Sequence, residues 1–281
     1  EGRDLWTWVV RGAPPSATPA TSSRVQARGH AVSAGPYSLE FDPATGLLTQ
    51  LKARGRVVPL SGPRLVAYQR APKLRSFVDV GGPPTLRKLE LAPAPGMLAR
   101  AEYEGALHEV TWSIDGDELV VRYRIAFEGA ADILGVSFDY PESSVLGKRW
   151  VGAGPYRIWK NRIAGTQFGL HEAKYSRSTP GVTYEYPEFE GFFGAWNWLE
   201  LETKQGRAVI RNGSQVPYFG LYQPTPGEQP ILELPKLGWS FLHAVPPIGT
   251  KFALPDVLGP QSQPSRFADP IEGEVKISFA R

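Results

Sequence analysis

The chain contains no cysteine and only one methionine in 281 residues. Without cysteine there is no disulfide framework and no thiolate metal site. Its longest apolar runs are a handful of residues, far short of the ~20 that cross a bilayer as a helix. No basic start leads into an apolar core, so no signal peptide is visible. These features permit a periplasmic or secreted location and slightly favour it over a cytoplasmic one. Charge of one sign is also scarce. There are 31 Lys+Arg against 28 Asp+Glu, interspersed, so the sequence pI of about 9.0 points only faintly to an anionic partner. Nothing in this balance favours nucleic acid or a membrane surface.

What the chain does have is 42% hydrophobic residues, too many for a disordered polymer, together with 30 Gly and 27 Pro. Runs of four to eight residues, alternating or β-branched and aromatic, are separated by Gly, Pro, Asp or Asn. The clearest run is Glu118–Phe127, where Val121, Tyr123, Ile125 and Phe127 face one way and Arg122 and Arg124 the other, a period of two. The preceding Asp115-Gly116-Asp117 reads as a hairpin turn. Trp196–Thr203, Gly206–Asn212, Gly238–Ala244 and Val275–Ala280 are further strands of the series. Almost no twelve-residue segment lacks Gly or Pro, so long helices are not expected. About 14 to 18 strands exceed an immunoglobulin sandwich and imply two large antiparallel sheets packed face to face. Residues 1–11 read as the closing strand of a preceding domain or an N-terminal arm. Residues 12–29 read as a Pro/Ala/Ser-rich linker, and residues 30–281 as the all-β domain.

The chemistry concentrates in Arg149–Tyr175 and Tyr184–Trp198. Gly152, Gly154 and Pro155 read as a rigid irregular turn that presents Tyr156, Trp159, Lys160, Asn161 and Arg162. It is no phosphate loop, because the third glycine and the helix are missing. Aromatics beside Asn, Arg, Glu and His suit a sugar, whose CH face stacks on a ring while its hydroxyl rim needs polar partners. Against this stands the common fate of aromatics in sheet proteins, which is the core. His171 and Glu172 adjoin on a strand and so point to opposite faces. His243 shares a strand face with Trp239 and Phe241, the setting of a partly buried histidine. Glu185, Glu188 and Glu190 crowd one local segment, whereas glycosidase carboxylates stand ~5 to ~9 Å apart in a pocket. No histidine spacing, calcium loop or zinc motif indicates a metal, and no cofactor is expected.

Phe41-Asp42-Pro43-Ala44-Thr45-Gly46-Leu47-Leu48, Gly62-Pro63-Arg64 and Arg70-Ala71-Pro72 resemble the opening of the C-terminal, small-chain domain of family 2 glycoside hydrolases, the β-galactosidases. Trp150-x-Gly152-x-Gly154-Pro155 with Asn161-Arg162 and Gly169 is similar to that domain's Gly-x-Gly-Pro-x-Glu-x-Tyr-x-Asp-Arg motif. Pro187, Gly191 and Trp198 fall where its Pro-Gln-Glu-x-Gly...Arg-Trp motif places them, and Leu5-Trp6-Thr7-Trp8 looks like the end of the immunoglobulin-like domain that precedes it. The resemblance covers residues 36–281 and implies a galactose mutarotase-like β-supersandwich. The departures are informative. The motif's Glu, Tyr and Asp are here Arg157, Trp159 and Asn161, the second motif's Glu and Arg are Phe189 and Asn197, and Gly259–Pro264 lacks the family's late Trp. The family's nucleophile and acid lie on an upstream barrel.

The expectation is therefore a carbohydrate-binding, non-catalytic module attached to upstream catalytic domains. Its sugar contacts would be Trp150, Tyr156, Trp159, Arg162, His171 and His243, with Glu188 and Glu190 added. The alternative is an enzyme on the same scaffold. An aldose epimerase would use His171 or His243 with Glu188 or Glu190, and a uronate lyase would draw on Tyr175, His243, Arg162 and Lys251.

Overall fold

In a computed structural model, residues 25–71, 76–174, 191–221, 235, 237–247 and 259–280 are described. They form two large antiparallel sheets and one small one. The first sheet runs, in spatial order, Gln26–Arg28 (β1), Ala31–Ala34 (β2), Tyr37–Phe41 (β3), Leu48–Ala53 (β4), Ser61–Arg70 (β6), Ile133–Asp139 (β13), Trp239–Ala244 (β20), Tyr218–Leu221 (β19) and Gly191–Gly194 (β16). Arg56–Val58 (β5) pairs with β4, and Phe77–Asp79 (β7) with β6. The second sheet runs Gln167–Lys174 (β15), Val145–Gly154 (β14), Trp198–Thr203 (β17), Gly206–Asn212 (β18), Ile271–Ala280 (β22), Glu118–Ile125 (β11), Leu107–Asp115 (β10), Met97–Glu104 (β9) and Thr85–Leu91 (β8). Gly129–Ala131 (β12) and Ser265–Phe267 (β21) form the small sheet. Among the described residues the helical pieces are short 3-10 turns such as Glu142–Ser144 and Pro260–Ser262. The large antiparallel sheets expected from the strand periodicity are found, and the all-β supersandwich that the resemblance implied is the architecture.

Local chemistry explains the hairpins. Asp115 pairs with Glu118 across Gly116-Asp117, with Gly116 at φ 60°. This left-handed position is open to glycine at no steric cost. In β11 the period-two reading holds: Val121, Tyr123 and Ile125 are buried and Arg122 and Arg124 exposed.

Between the sheets an unbroken file of rings crosses the core. Phe41, Trp112, Phe138 and Phe241 meet edge to face at 5.9–6.0 Å. Phe241 stacks on Trp196 at 5.7 Å, Trp196 meets Phe219, Phe219 stacks on Phe193 at 5.0 Å, and Phe193 reaches Trp150 at 4.9 Å. Such pairs add about 0.5–1.5 kcal/mol each beyond the area they bury. A second apolar cluster, containing Val66, Ile133, Ile158, Trp159, Phe192 and Leu242, packs separately from this core.

Two expectations are corrected. Gly152 and Gly154, read together with Pro155 as a rigid irregular turn, lie in the ten-residue strand β14, and only Pro155 falls beyond it. Its glycines serve packing: a Cβ at Gly152 would lie 2.9 Å from the Trp196 backbone, and one at Gly154 would lie 2.5 Å from His171. Gln26–Arg28, at the end of the segment read as linker, is a paired strand. Residues 1–24, with the Trp6 and Trp8 strand, lie outside the described residues.

Candidate functional site

The residues singled out in the sequence go to different places. Trp150 is fully buried, donates Nε1–H to the Ala153 carbonyl at 3.1 Å, and ends the aromatic file. His171 faces it across β14 and β15 at 5.2 Å, with Nε2 3.0 Å from the Gln167 carbonyl. Trp159 is buried against Phe192, ring centroids 5.9 Å apart. Neither tryptophan offers a ring face to a ligand. Tyr156 and Arg162 are exposed. His243 points between the sheets, its Nε2 3.0 Å from Tyr123 Oη. Burial pushes its pKa down to about 4. Among the described residues, no ion pair or hydrogen bond joins either histidine to a carboxylate. Tyr175, Glu188, Glu190 and Lys251 lie outside the described residues.

A different constellation sits on the outward face of the second sheet, where β15, β14, β17 and β18 lie side by side. Register alone assembles it. One cross-strand row reads Glu172, Arg149, Glu200, Val209, and the next reads Leu170, Val151, Trp198, Arg211. Arg149 is the hub. Its Nε lies 3.3 Å from Glu172, its Nη1 lies 3.6 Å from Glu200, and its guanidinium carbon lies 5.9 Å from the Trp198 ring centre. Arg207 approaches the second oxygen of Glu200 at 3.9 Å. Glu200 is only 12% exposed and Glu172 is 73% exposed. A depression of about 460 Å³ opens here between Arg149, Glu172, Lys174, Glu200, Glu202 and Arg207. Gly147 helps make that room, because a Cβ there would meet the Glu202 carboxylate at 3.3 Å. Beside it Leu170, 61% exposed, continues the apolar row of Val151 and Trp198.

This surface pairs an apolar strip with a bank of carboxylates and guanidiniums, which is the pattern a sugar ring needs. The Arg149–Glu172 pair, whose carboxylate is open to water, contributes only about 0–1 kcal/mol, so Glu172 exchanges its partner for a ligand hydroxyl at little loss.

A second polar cluster lies where β6 and β20 end and β13 begins. Asp132 is buried, and its Oδ2 accepts the Arg70 backbone N–H at 2.7 Å. Burial raises its pKa against the pull of that hydrogen bond and of Arg70 and Lys160. Burial lowers the pKa of Lys160, with Asp132 opposing. The ammonium donates to the Gln263 carbonyl at 2.7 Å, and Asn161 Nδ2 donates to Ser262 Oγ at 3.1 Å. These bonds clamp the loop after β14 to the Pro260–Ser262 turn. The Asn161-Arg162 segment and the Gly259–Pro264 segment, which lacks the late Trp of the family compared above, are therefore neighbours in space.

Trp198 and Arg149 were visible in the sequence as members of the two dense stretches, Trp198 also as the tryptophan of the second motif. Glu200 and Arg207 were not singled out. The available signal was strand register: once β17 and β18 pair, both fall on the outward face with Trp198. Among the described residues, no three His, Asp or Glu side chains gather as metal ligands, and no helix is long and apolar enough to cross a membrane.

No protein-family model matches the chain, and no curated protein matches it. Among solved structures it is similar to a putative aldose 1-epimerase from Escherichia coli K12, at a TM-score of 0.48 and 12% identity over 89% of this chain and 98% of that one. It is also similar to a galactose mutarotase related enzyme from Lactobacillus acidophilus, at a TM-score of 0.43 and 6% identity over 89% and 97%. At these values the likeness is one of strand architecture only, and the chemistry has to come from the chain's own residues.

Proposed function

We propose that this chain is a carbohydrate-binding, non-catalytic β-supersandwich module. In this reading it belongs, as the C-terminal part, to a family-2-like glycoside hydrolase and braces or completes a sugar groove with upstream domains. The observation that carries the reading is the Arg149–Trp198–Glu200 arrangement on the open sheet face, with its apolar strip and the adjoining 460 Å³ depression. A pyranose laid on Trp198 and Val151 would point its hydroxyls at Glu200, Glu172 and Arg149.

Support for a non-catalytic role comes from the histidines. An epimerase needs a His and a carboxylate on opposite sides of one sugar ring. Among the described residues His171 is engaged by the Gln167 carbonyl and Trp150, and His243 by Tyr123. The test is a screen of immobilised oligosaccharides with wild type and Trp198→Ala, with anomer interconversion and reducing-end release followed for each ligand that binds. Binding that Trp198→Ala removes, without turnover, is the expected result. Turnover by the isolated chain would overturn the reading.

A further inference from the structure

The hairpin turns β4–β5 and β17–β18 come from different sheets and meet at one end of the sandwich. Between them lies a cavity of about 190 Å³ lined by Arg54, Arg56, Lys204 and Arg207, with Tyr140 and Phe279 supplying apolar wall. None of its lining residues is an acid. Arg54 is tied by a 2.6 Å ion pair to Asp117 outside the cavity, and Arg207 approaches Glu200 only at 3.9 Å. Arg56 and Lys204 have no ion pair among the described residues. The turns fix the backbone from which these cations project. Arg54 sits at φ 51° beside Gly55 at φ 78°, a two-residue loop that closes Ala53 onto Arg56. A non-glycine residue in this left-handed region is uncommon. Thr203 pairs with Gly206 across Lys204-Gln205, and the Lys204 backbone N–H is fixed on the Ser144 carbonyl at 2.9 Å. The wall is ordered too, since Tyr140 stacks on Trp239 at 4.0 Å and bonds Gln205 Oε1 at 3.1 Å.

Arg56 and Lys204, with Arg54 and Arg207 beside them, line a concave space without acids and raise its local potential for an anion. Arg207 lines both this cavity and the 460 Å³ depression beside Trp198, so the two spaces share a wall. We infer that the basic cavity between the β4–β5 and β17–β18 turns receives the anionic group, a carboxylate or sulfate ester, of an acidic glycan whose chain runs along β17 to the Trp198 face, at the opposite end of that strand and about 20 Å away. The inference rests on the carbohydrate-binding reading and adds a ligand class to it. It assigns Arg56 and Lys204 to binding the anionic group and Trp198 to stacking the ring.

Calorimetry on the full chain tests it with oligogalacturonate hexamers, their fully methyl-esterified neutral counterparts, sulfated hexasaccharides of glycosaminoglycan type, and inorganic sulfate alone. The acidic hexamers of at least one kind should bind about tenfold or more tighter than a neutral counterpart, with affinity falling as salt rises. Arg56→Ala combined with Lys204→Ala should remove that advantage with the melting temperature unchanged, because both residues lie in exposed turn positions. The uronate and sulfate arms show which anion is taken. Equal affinity for acidic and neutral ligands, or an unchanged acidic affinity in the double variant, overturns the inference. So does binding of inorganic sulfate with no glycan. The underlying reading fails separately, when Trp198→Ala leaves glycan binding intact or when no glycan binds at all.

Discussion

His243 of β20 and Tyr123 of β11 meet across the sandwich, Nε2 to Oη at 3.0 Å with rings near perpendicular, and so join the two sheets through one polar contact. Tyr123 is wholly enclosed, and burial drives its pKa far up, so the phenol keeps its proton. With no other acceptor in reach among the described residues, that proton is donated to Nε2, which leaves the ring proton of a neutral His243 on Nδ1.

Burial of His243 makes stability depend on acid. The folded-state pKa of His243, about 4, lies below the ordinary value of 6.5. The unfolded chain therefore binds the extra proton first, and stability present above pH 6.5 is lost as pH falls toward 4. A shift of this size corresponds to about 3 kcal/mol. Urea unfolding of wild type should show that loss between pH 6.5 and 4. His243→Phe should flatten it while costing about 1–3 kcal/mol at pH 7 through the orphaned phenol. Tyr123→Phe should keep the slope.

Gly273 lies opposite Tyr123 in the β11–β22 register, beneath the phenol ring. A Cβ there would fall 2.1 Å from Tyr123 Cζ and 2.2 Å from Oη. Gly273→Ala should lower stability by about 1–3 kcal/mol, as overpacked cores do. In a Tyr123→Ala background the same change should cost much less. A double-mutant cycle measures the coupling, and additivity would mean that the ring is not held over the glycine.

Asp132 offers a test of opposite sign. Its pKa is raised in the folded state, so ionisation opposes folding, and the protein is favoured below the ordinary carboxylate pKa and loses that margin as pH rises through the raised value. Asp132→Asn keeps an acceptor for the Arg70 N–H and removes the ionisation. Thermal and urea unfolding at pH 7 should find it at least as stable as wild type, with the difference shrinking as pH falls toward 4. A loss beyond about 1 kcal/mol would show that the carboxylate is needed as an anion.

The fold was legible because period two is a property of single strands. Val121, Tyr123 and Ile125 could be assigned to one face without knowing any neighbour. The candidate site was less legible, because its residues are related by register between strands distant in the sequence or by which face meets water. On β14, Lys148 and Trp150 point inward and Arg149 and Val151 outward. A lysine buried against the Phe193 ring inverts the polar-out rule and hid the orientation of the whole strand. Trp150 and Trp159, read as sugar platforms, fill two apolar clusters instead. Trp198, two residues after the buried Trp196, lies on the outward face beside Arg149. Nothing in composition separates these tryptophans, and the packing of the sheets decides between them.

In the proposed function the outward face at Trp198 holds sugar. The most direct test is calorimetric titration of wild type and Trp198→Ala with the strongest ligand from the oligosaccharide screen, after circular dichroism and melting curves confirm that the variant is folded. Loss of one aromatic stacking partner should weaken binding at least about tenfold with little change in melting temperature. An unchanged affinity in a folded Trp198→Ala variant would contradict the account.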